Sequence, residues 1–312
     1  MAHAVDGTTY HAAMIQLCEL GALAAAVGVV VVAGSAFAQA PARPDASQRI
    51  ALVTGSTDGL GREVARRLAA EGAHVIVHGR NAERGKAVVD EIAKAGKGSA
   101  RFYAADFASL AEVRRFADQI LADYGRLDLL VNNAGVFVRD AERKVSADGH
   151  EMHFAVNYLA GFLLTHRLLP RLEKGRSPRI VNVSSLSAAP IDFDDVMITK
   201  GYSGNRGYGQ SKLSQVLFTK DLAESLKPRG IVAYALHPAT YMDTTMVRSG
   251  GMTPRSTVDE GADATMHAIS TTTEPSGTYF DGLKVGTPHA QAGDAEARRK
   301  LRELSARLTG VS

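Results

Sequence analysis

IALVTGSTDGLG, residues 50–61, is the stretch whose reading decides the fold. It opens with four apolar residues, turns through three glycines and runs into LGREVARRLAAEG, where apolar residues recur at helical spacing. A strand over Ile50–Thr54, a glycine-rich turn and a helix over Leu60–Glu71 therefore follow one another directly. Glycines let a backbone turn tightly and approach a ligand closely, and a helix N-terminus offers unpaired N–H groups with a partial positive charge. Together they predict a pyrophosphate-binding turn made of Gly55, Ser56, Thr57, Asp58, Gly59, Leu60 and Gly61.

Working outward, short runs rich in apolar residues alternate with longer helical patterns. Strands are predicted at Ile50–Thr54, Ala73–His78, Ala100–Ala104, Leu127–Asn132, Arg179–Ser184 and Ile231–Leu236, with a seventh around Gly277–Phe280. Helical patterns cover Leu60–Glu71, Ala82–Ala95, Leu110–Tyr124, His150–Leu172 and Gln210–Leu226. Near-continuous apolar strands are those buried on both faces of a parallel sheet. The alternation implies right-handed crossovers and one α/β, Rossmann-type, doubly wound sheet of about seven strands with helices on both faces.

The second predicted strand ends at His78-Gly79-Arg80. Dinucleotide folds that take NAD place an acidic residue about 20 positions beyond the glycines, where it meets the ribose 2′-OH. No carboxylate stands here, and Arg80 does. An arginine pairs with a 2′-phosphate in a charge-assisted fork, so NADP(H) is favoured over NAD(H).

Tyr208 and Lys212 are spaced i and i+4 on a predicted helix, so phenol and ammonium share one face. A free phenol has a pKa near 10 and is a poor base at neutral pH. A neighbouring ammonium favours the phenolate, and lowering its pKa by about three units needs roughly 4 kcal/mol. Of the nine tyrosines, only Tyr208 has a lysine at i+4; the nearby Tyr202 has Arg206 there. The pair is expected to exchange a proton with substrate while the cofactor moves a hydride.

The turn Thr54-Gly55-Ser56-Thr57-Asp58-Gly59-Leu60-Gly61, joined to Tyr208-Gly-Gln-Ser-Lys212, resembles the short-chain dehydrogenase/reductase family over roughly residues 49–285. The resemblance implies further roles. Asp106 and Phe107 match the family's adenine contact, and Asn133, Ala134 and Gly135 its cofactor-side loop. Ser185, with Ser184 as the alternative, would hold the substrate oxygen, and Asn157 would hold a water against Lys212. Pro238 and Thr240 fall where the family meets the nicotinamide, with Thr244 competing for that contact. His237 follows the sixth strand where the family commonly continues Pro-Gly, here Pro238-Ala239. His237, His153 and His166 read as packing residues, and Asp128 as a backbone tie. Ser185 and Tyr208 are 208 − 185 = 23 positions apart, a longer connection than is common in the family. That insertion resembles the retinol-dehydrogenase-like and protochlorophyllide-reductase-like branches. It implies a small-molecule alcohol or carbonyl substrate of apolar character; reduction of a carbon–carbon double bond and a non-catalytic NADP(H)-binding scaffold are the alternatives. Dimers and tetramers are common in the family and its extended branches include monomers, so the resemblance leaves both a homo-oligomer and a monomer open.

A net charge of +3 without long basic runs gives no case for nucleic-acid binding. The single cysteine, Cys18, excludes an internal disulfide, and without a Cys cluster or HExxH pattern no metal is expected. Residues 1–48 differ from the catalytic region 49–312. Leu20–Ala38 is uncharged and about long enough to span a bilayer. No Lys or Arg precedes it, whereas Arg43 and Arg49 follow. Positive residues stay on the cytoplasmic side, so a membrane anchor with a cytoplasmic catalytic domain is expected. A signal cleaved near Ala38, and a soluble extension from a start assigned too early, are the alternatives.

Overall fold

A computed structural model of the protein describes residues 44–139 and 142–311. The apolar segment 20–38 and Cys18 lie outside these residues. No helix of the described residues is long and apolar enough to cross a membrane.

Seven strands run parallel: β1 (Ile50–Val53), β2 (His74–Gly79), β3 (Ser99–Ala104), β4 (Leu129–Asn132), β5 (Arg179–Val183), β6 (Val232–His237) and β7 (Tyr279–Asp281). An eighth, β8 (Lys284–Val285), pairs antiparallel with β7 and closes the sheet in the order β3-β2-β1-β4-β5-β6-β7-β8. The expected seventh strand is thus the first arm of a hairpin, and the sheet has one strand more than predicted. The helices are α1 (Gly59–Ala70), α2 (Ala82–Ala95), α3 (Leu110–Asp123), α4 (Ala160–Leu172), α5 (Gly204–Ser225), α6 (Thr245–Ser249), α7 (Val258–Ser270) and α8 (Ala295–Thr309).

Alternation along the strands explains the two-sided core. In β1, Ile50 and Leu52 point into one cluster with residues of α3, α4, α5 and α8; Ala51 and Val53 point into another with α1, α2 and α7. Asp128 ties the sheet's lower edge, accepting from the N–H of Ile50 at 2.7 Å and of Arg176 at 2.6 Å, as its reading anticipated. Residues 46–48, just before the catalytic region read from the sequence, are also tied down: Arg126 donates to the Gln48 carbonyl at 2.6 Å and Arg176 to that of Ala46 at 2.9 Å.

Strand order reverses between β1 and β4, where the chain first moves outward to β3 and then returns. The crevice beyond the carboxyl ends at such a switch point is where ligands bind in open α/β sheets. Three differences from the sequence reading bear on it. Helix α5 starts at Gly204, because the Ser203 side chain caps it by accepting from Arg206 N–H. The segment Phe154–Leu159 before α4 is π-helical. Helices α6, α7 and α8 were not expected, although Thr257 and Glu260 form a reciprocal capping box at the start of α7.

Candidate active site

The glycine turn leaves β1 at the switch point. Gly55 has φ +64°, and a Cβ there would stand 2.8 Å from the Ala134 Cα. A Cβ on Gly61 would collide with the Gly55 carbonyl and the Asn133 side chain. The turn is held rigid from beneath. Thr54 Oγ1 accepts from the N–H groups of Asn133 and Ala134, both at 3.0 Å, and Asn133 Nδ2 donates to the Thr54 carbonyl at 2.8 Å. His78, which burial keeps neutral with its pKa lowered to about 3, accepts from Gly55 N–H at Nδ1. The first intrahelical bond of α1 is Arg62 N–H to the Asp58 carbonyl at 3.2 Å. The N–H groups of Leu60 and Gly61 therefore lack an intrahelical acceptor. A cradle without room for side chains, lined with main-chain amides at the head of a 12-residue helix, fits a dinucleotide pyrophosphate.

At the end of β2, Gly79 has no space for a side chain, since its Cβ would lie 2.6 Å from the Thr57 side chain. Any side chain at that position, acidic or not, would require Thr57 to move. Arg80 beside it is 67% exposed, with a 3.9 Å contact to Asp106 as its ion pair. Arg84, overlooked in the sequence reading, stands nearby at 3.4 Å from Asp58. Phe107 is buried and stacked on His78 at 4.1 Å, so its ring belongs to the core and is not offered to an adenine. Asp106 remains half-buried beside the crevice.

Helix α5 brings the second half of the site up beside β5. Tyr208 is half-buried in its second turn, interacting with the Ser185 hydroxyl. Lys212 Nζ lies 5.5 Å from the Tyr208 ring centroid. It donates to the Val183 carbonyl at 2.8 Å and to Gln215 Oε1 at 3.1 Å. A Cβ on Gly135 would lie 3.7 Å from this nitrogen, so the buried ammonium faces the cofactor-side loop. Ser184 donates to the Lys212 carbonyl at 2.6 Å and is committed to the helix, which leaves Ser185 as the hydroxyl beside Tyr208.

The electrostatics run opposite to the expectation for the pair. Burial pushes the Tyr208 phenol up to about 12, with the Ser185 hydrogen bond opposing, and burial brings Lys212 down to about 7. Desolvation penalises both charged forms, and it outweighs the attraction predicted from i,i+4 spacing. Lys212 is drawn to main-chain and amide oxygens, not to the phenol. The Asn157 side chain is bonded within the protein on both its oxygen and its nitrogen. Its Oδ1 accepts from Val136 N–H at 2.7 Å, and its Nδ2 donates to the Val136 carbonyl and the Ser211 hydroxyl. Asn157 thus clamps the loop after β4 to α5.

Beyond β6, Pro238 is buried and Thr240 is exposed, 3.0 Å from His237 Nε2. Thr244 caps α6 and packs against Gly59, so it is Thr244 that abuts the phosphate turn. Sequence reading assigned no role to Thr54, Gln215, Ser211 and Phe137; those of Thr54, Ser211 and Phe137 arise from contacts between segments distant in the chain, whereas Gln215 lies one turn beyond Lys212 on α5. Phe137 lies edge-on to Tyr208 at 5.2 Å. The insertion folds back on α5: Asp192 N–H donates to Gln210 at 2.7 Å, and Gln291 holds both polar groups of Ile191.

Comparisons with known proteins agree with this architecture. The short chain dehydrogenase family matches residues 49–253. Retinol dehydrogenase 13 of Homo sapiens is 35% identical, the alignment covering 96% of this chain and 95% of that protein. Polyprenol dehydrogenase of Mus musculus is 36% identical over 87% of each chain. A short chain dehydrogenase from Burkholderia cenocepacia, solved in complex with NADP, superposes with a TM-score of 0.61 at 29% identity, covering 75% of this chain and 95% of that one. The chain belongs to the short-chain dehydrogenase/reductase family of NAD(P)-dependent oxidoreductases and is retinol-dehydrogenase-like.

Proposed function

We propose that this chain is an NADP(H)-dependent oxidoreductase interconverting an alcohol and a carbonyl on an apolar small molecule, with Tyr208 giving or taking the proton. The observation that carries this reading is the Tyr208 phenol meeting the Ser185 hydroxyl beside buried Lys212, whose nitrogen faces Gly135 in the loop packed against the glycine turn. Gly55 to Gly61 would hold the pyrophosphate, Arg80 the 2′-phosphate, and Asn133 to Gly135, Pro238 and Thr240 or Thr244 the nicotinamide end. When bound, the cofactor supplies or accepts the hydride.

The remaining chemistry belongs to the chain. A phenol held near 12 is protonated at neutral pH, so Tyr208 carries the proton that a reduced carbonyl needs. Ser185 donates a hydrogen bond to the substrate oxygen as negative charge develops there. In the oxidation direction Tyr208 must first lose its proton, and Lys212 favours the phenolate once it is itself protonated. Asn157 holds Val136 and Ser211, and Ser211 donates to the Tyr208 carbonyl at 2.7 Å, so the helix turn bearing the phenol is fixed.

Phe137 stands edge-on to Tyr208, and Leu186, immediately after Ser185, is 56% exposed. An apolar rim suits an apolar substrate, as the names of the retinol and polyprenol dehydrogenases suggest for those relatives. Residues 20–38 are proposed as the anchor that brings the domain to a membrane, with residues 49–312 on the cytoplasmic side. The test is a panel of apolar aldehydes, ketones and alcohols run with NADPH and with NADH. The reading predicts alcohol–carbonyl interconversion with NADPH preferred. Products reduced only at a carbon–carbon double bond, or no turnover with tightly bound NADPH, would contradict it.

A further inference from the structure

Glu151 and His153 are fully buried beside Tyr208, and the chemistry above uses neither. Their hydrogen bonds are specific. His153 Nδ1 lies 2.7 Å from Glu151 Oε1, while His153 Nε2 accepts the N–H of Val138 at 2.9 Å. The second bond settles the tautomer: Nε2 is bare, so Nδ1–H donates to the carboxylate. Glu151 Oε2 accepts from the N–H of Phe154 at 2.8 Å, which opens the π-helical segment carrying Asn157. Burial pushes the Glu151 carboxyl up, and the hydrogen bonds from His153 and Phe154 more than offset it, leaving it below the ordinary range.

This pair touches each segment that places the phenol. The His153 ring stands edge-on to the Tyr208 ring, centroids 6.1 Å apart and planes at 85°. Phe137, one residue before the Val138 that His153 holds, stands edge-on to the same ring from 5.2 Å. Gly207, immediately before Tyr208, has no room for a side chain: its Cβ would lie 2.8 Å from both Glu151 Oε1 and His153 Nδ1. A buried carboxylate is costly to keep, and an apolar pair of similar volume would fill the same space without that cost. The polar pair ties the loop at Val138 to the start of the π-helical segment through directional bonds, which apolar packing would not do, and it packs against α5 at Gly207 and Tyr208.

We propose that Glu151 and His153 are positioning residues for Tyr208, acting through the Val138 N–H to hold Phe137 and the phenol ring in register with Ser185. The proposal rests on Tyr208 being the proton-handling group. His153→Phe keeps an aromatic ring beside Tyr208 and removes both hydrogen bonds. His153→Gln offers an amide oxygen to the Val138 N–H. The measurements are kcat and KM for a turned-over substrate, Kd for NADPH by its fluorescence, and Tm.

The expected result is a kcat at least about tenfold lower in His153→Phe, with NADPH affinity unchanged, and recovery of most of that loss in His153→Gln. Wild-type kcat in His153→Phe, equal losses in both variants, or a loss confined to NADPH binding would overturn the proposal. If His153→Phe fails to fold because Glu151 is left unpaired, the double variant Glu151→Leu/His153→Phe removes that charge. A folded double variant is expected to show the same loss of kcat, and wild-type kcat in it overturns the proposal. Tyr208→Phe is assayed in parallel. Full activity there defeats the Tyr208 reading and the proposal with it, whereas inactive Tyr208→Phe with fully active His153→Phe defeats the positioning role alone.

Discussion

On the proposed NADP(H) preference, replacing Arg80 with alanine should leave an enzyme that barely discriminates between the two cofactors. Arg80 is 67% exposed and its ion pair is a 3.9 Å contact with Asp106, so little is lost when the guanidinium turns toward a phosphate. An exposed pair of that kind is worth about 0–1 kcal/mol. A charge-assisted fork to a dianionic phosphate is worth about 1.5–3 kcal/mol, even at the surface. The difference is about 0.5–3 kcal/mol, or roughly 2- to 150-fold in kcat/KM for NADPH. NADH lacks the 2′-phosphate and should be almost indifferent to the change. The assay is kcat/KM for both cofactors with one carbonyl substrate, in wild type and Arg80→Ala, at fixed ionic strength. Equal loss with both cofactors would show that Arg80 serves the fold and not the phosphate. No change in kcat/KM with either cofactor would refute the reasoning altogether. The closure of Gly79 by Thr57 adds a second arm: Gly79→Asp should lower stability without producing an NAD-preferring enzyme.

Gly61→Ala places a methyl against the Gly55 carbonyl and Asn133, so NADPH should bind at least tenfold more weakly, at a stability cost of about 1–3 kcal/mol; fluorescence titration and a urea midpoint measure both. Ser185→Ala should lower kcat by roughly 10²- to 10³-fold, as loss of an oxyanion donor does. Ser184→Ala should instead cost about 0.5–1.5 kcal/mol of stability, because its hydroxyl serves the helix. Lys212 gives a pH signature. Its pKa is near 10.5 when unfolded and about 7 when folded, so between those values the unfolded chain binds more protons. Stability should therefore rise with pH from about 7 toward 10, by no more than about 1.4 kcal/mol per unit for one proton, and Lys212→Met should remove that slope. An identical slope in wild type and Lys212→Met would contradict the burial of Lys212.

Much of this was legible in the chain itself. β1, β2, β4 and β5 are buried on both faces, and such strands read as near-continuous apolar runs whatever packs on them. The glycine turn was legible because the steric demand is local: a Cβ at Gly61 meets the turn's own carbonyl. Helix α8 was not, since its buried face consists of Ala297, Leu301, Ser305 and Thr309, and small polar residues carry no apolar period. Ser305 is buried because Tyr158 Oη meets it at 2.7 Å, a contact 147 positions apart. Helix α7 did carry a local signal, the Thr257–Glu260 capping box, which the strand-and-helix alternation overshadowed.

The site divides in the same way. Spacing placed Tyr208 and Lys212 on one helix face, and they share it. Spacing said nothing of the Val183 carbonyl, which belongs to another element and draws the ammonium away from the phenol. Nor did it show that both ends of the Asn157 amide are taken by Val136 and Ser211. His153 read as a packing residue. Its partner Glu151 stands two positions earlier, too close for either residue to stand out in a helical pattern, and the pairing becomes visible only when the chain closes around Tyr208.

The central claim is that the Tyr208 phenol moves the proton. Its most direct test is single-turnover hydride transfer from pre-bound NADPH in Tyr208→Phe, with NADPH affinity measured on the same protein. The account predicts unchanged binding and a transfer rate lower by roughly 10²- to 10⁴-fold, the span of a lost general acid. Transfer at the wild-type rate from a cofactor bound as tightly as before would contradict it.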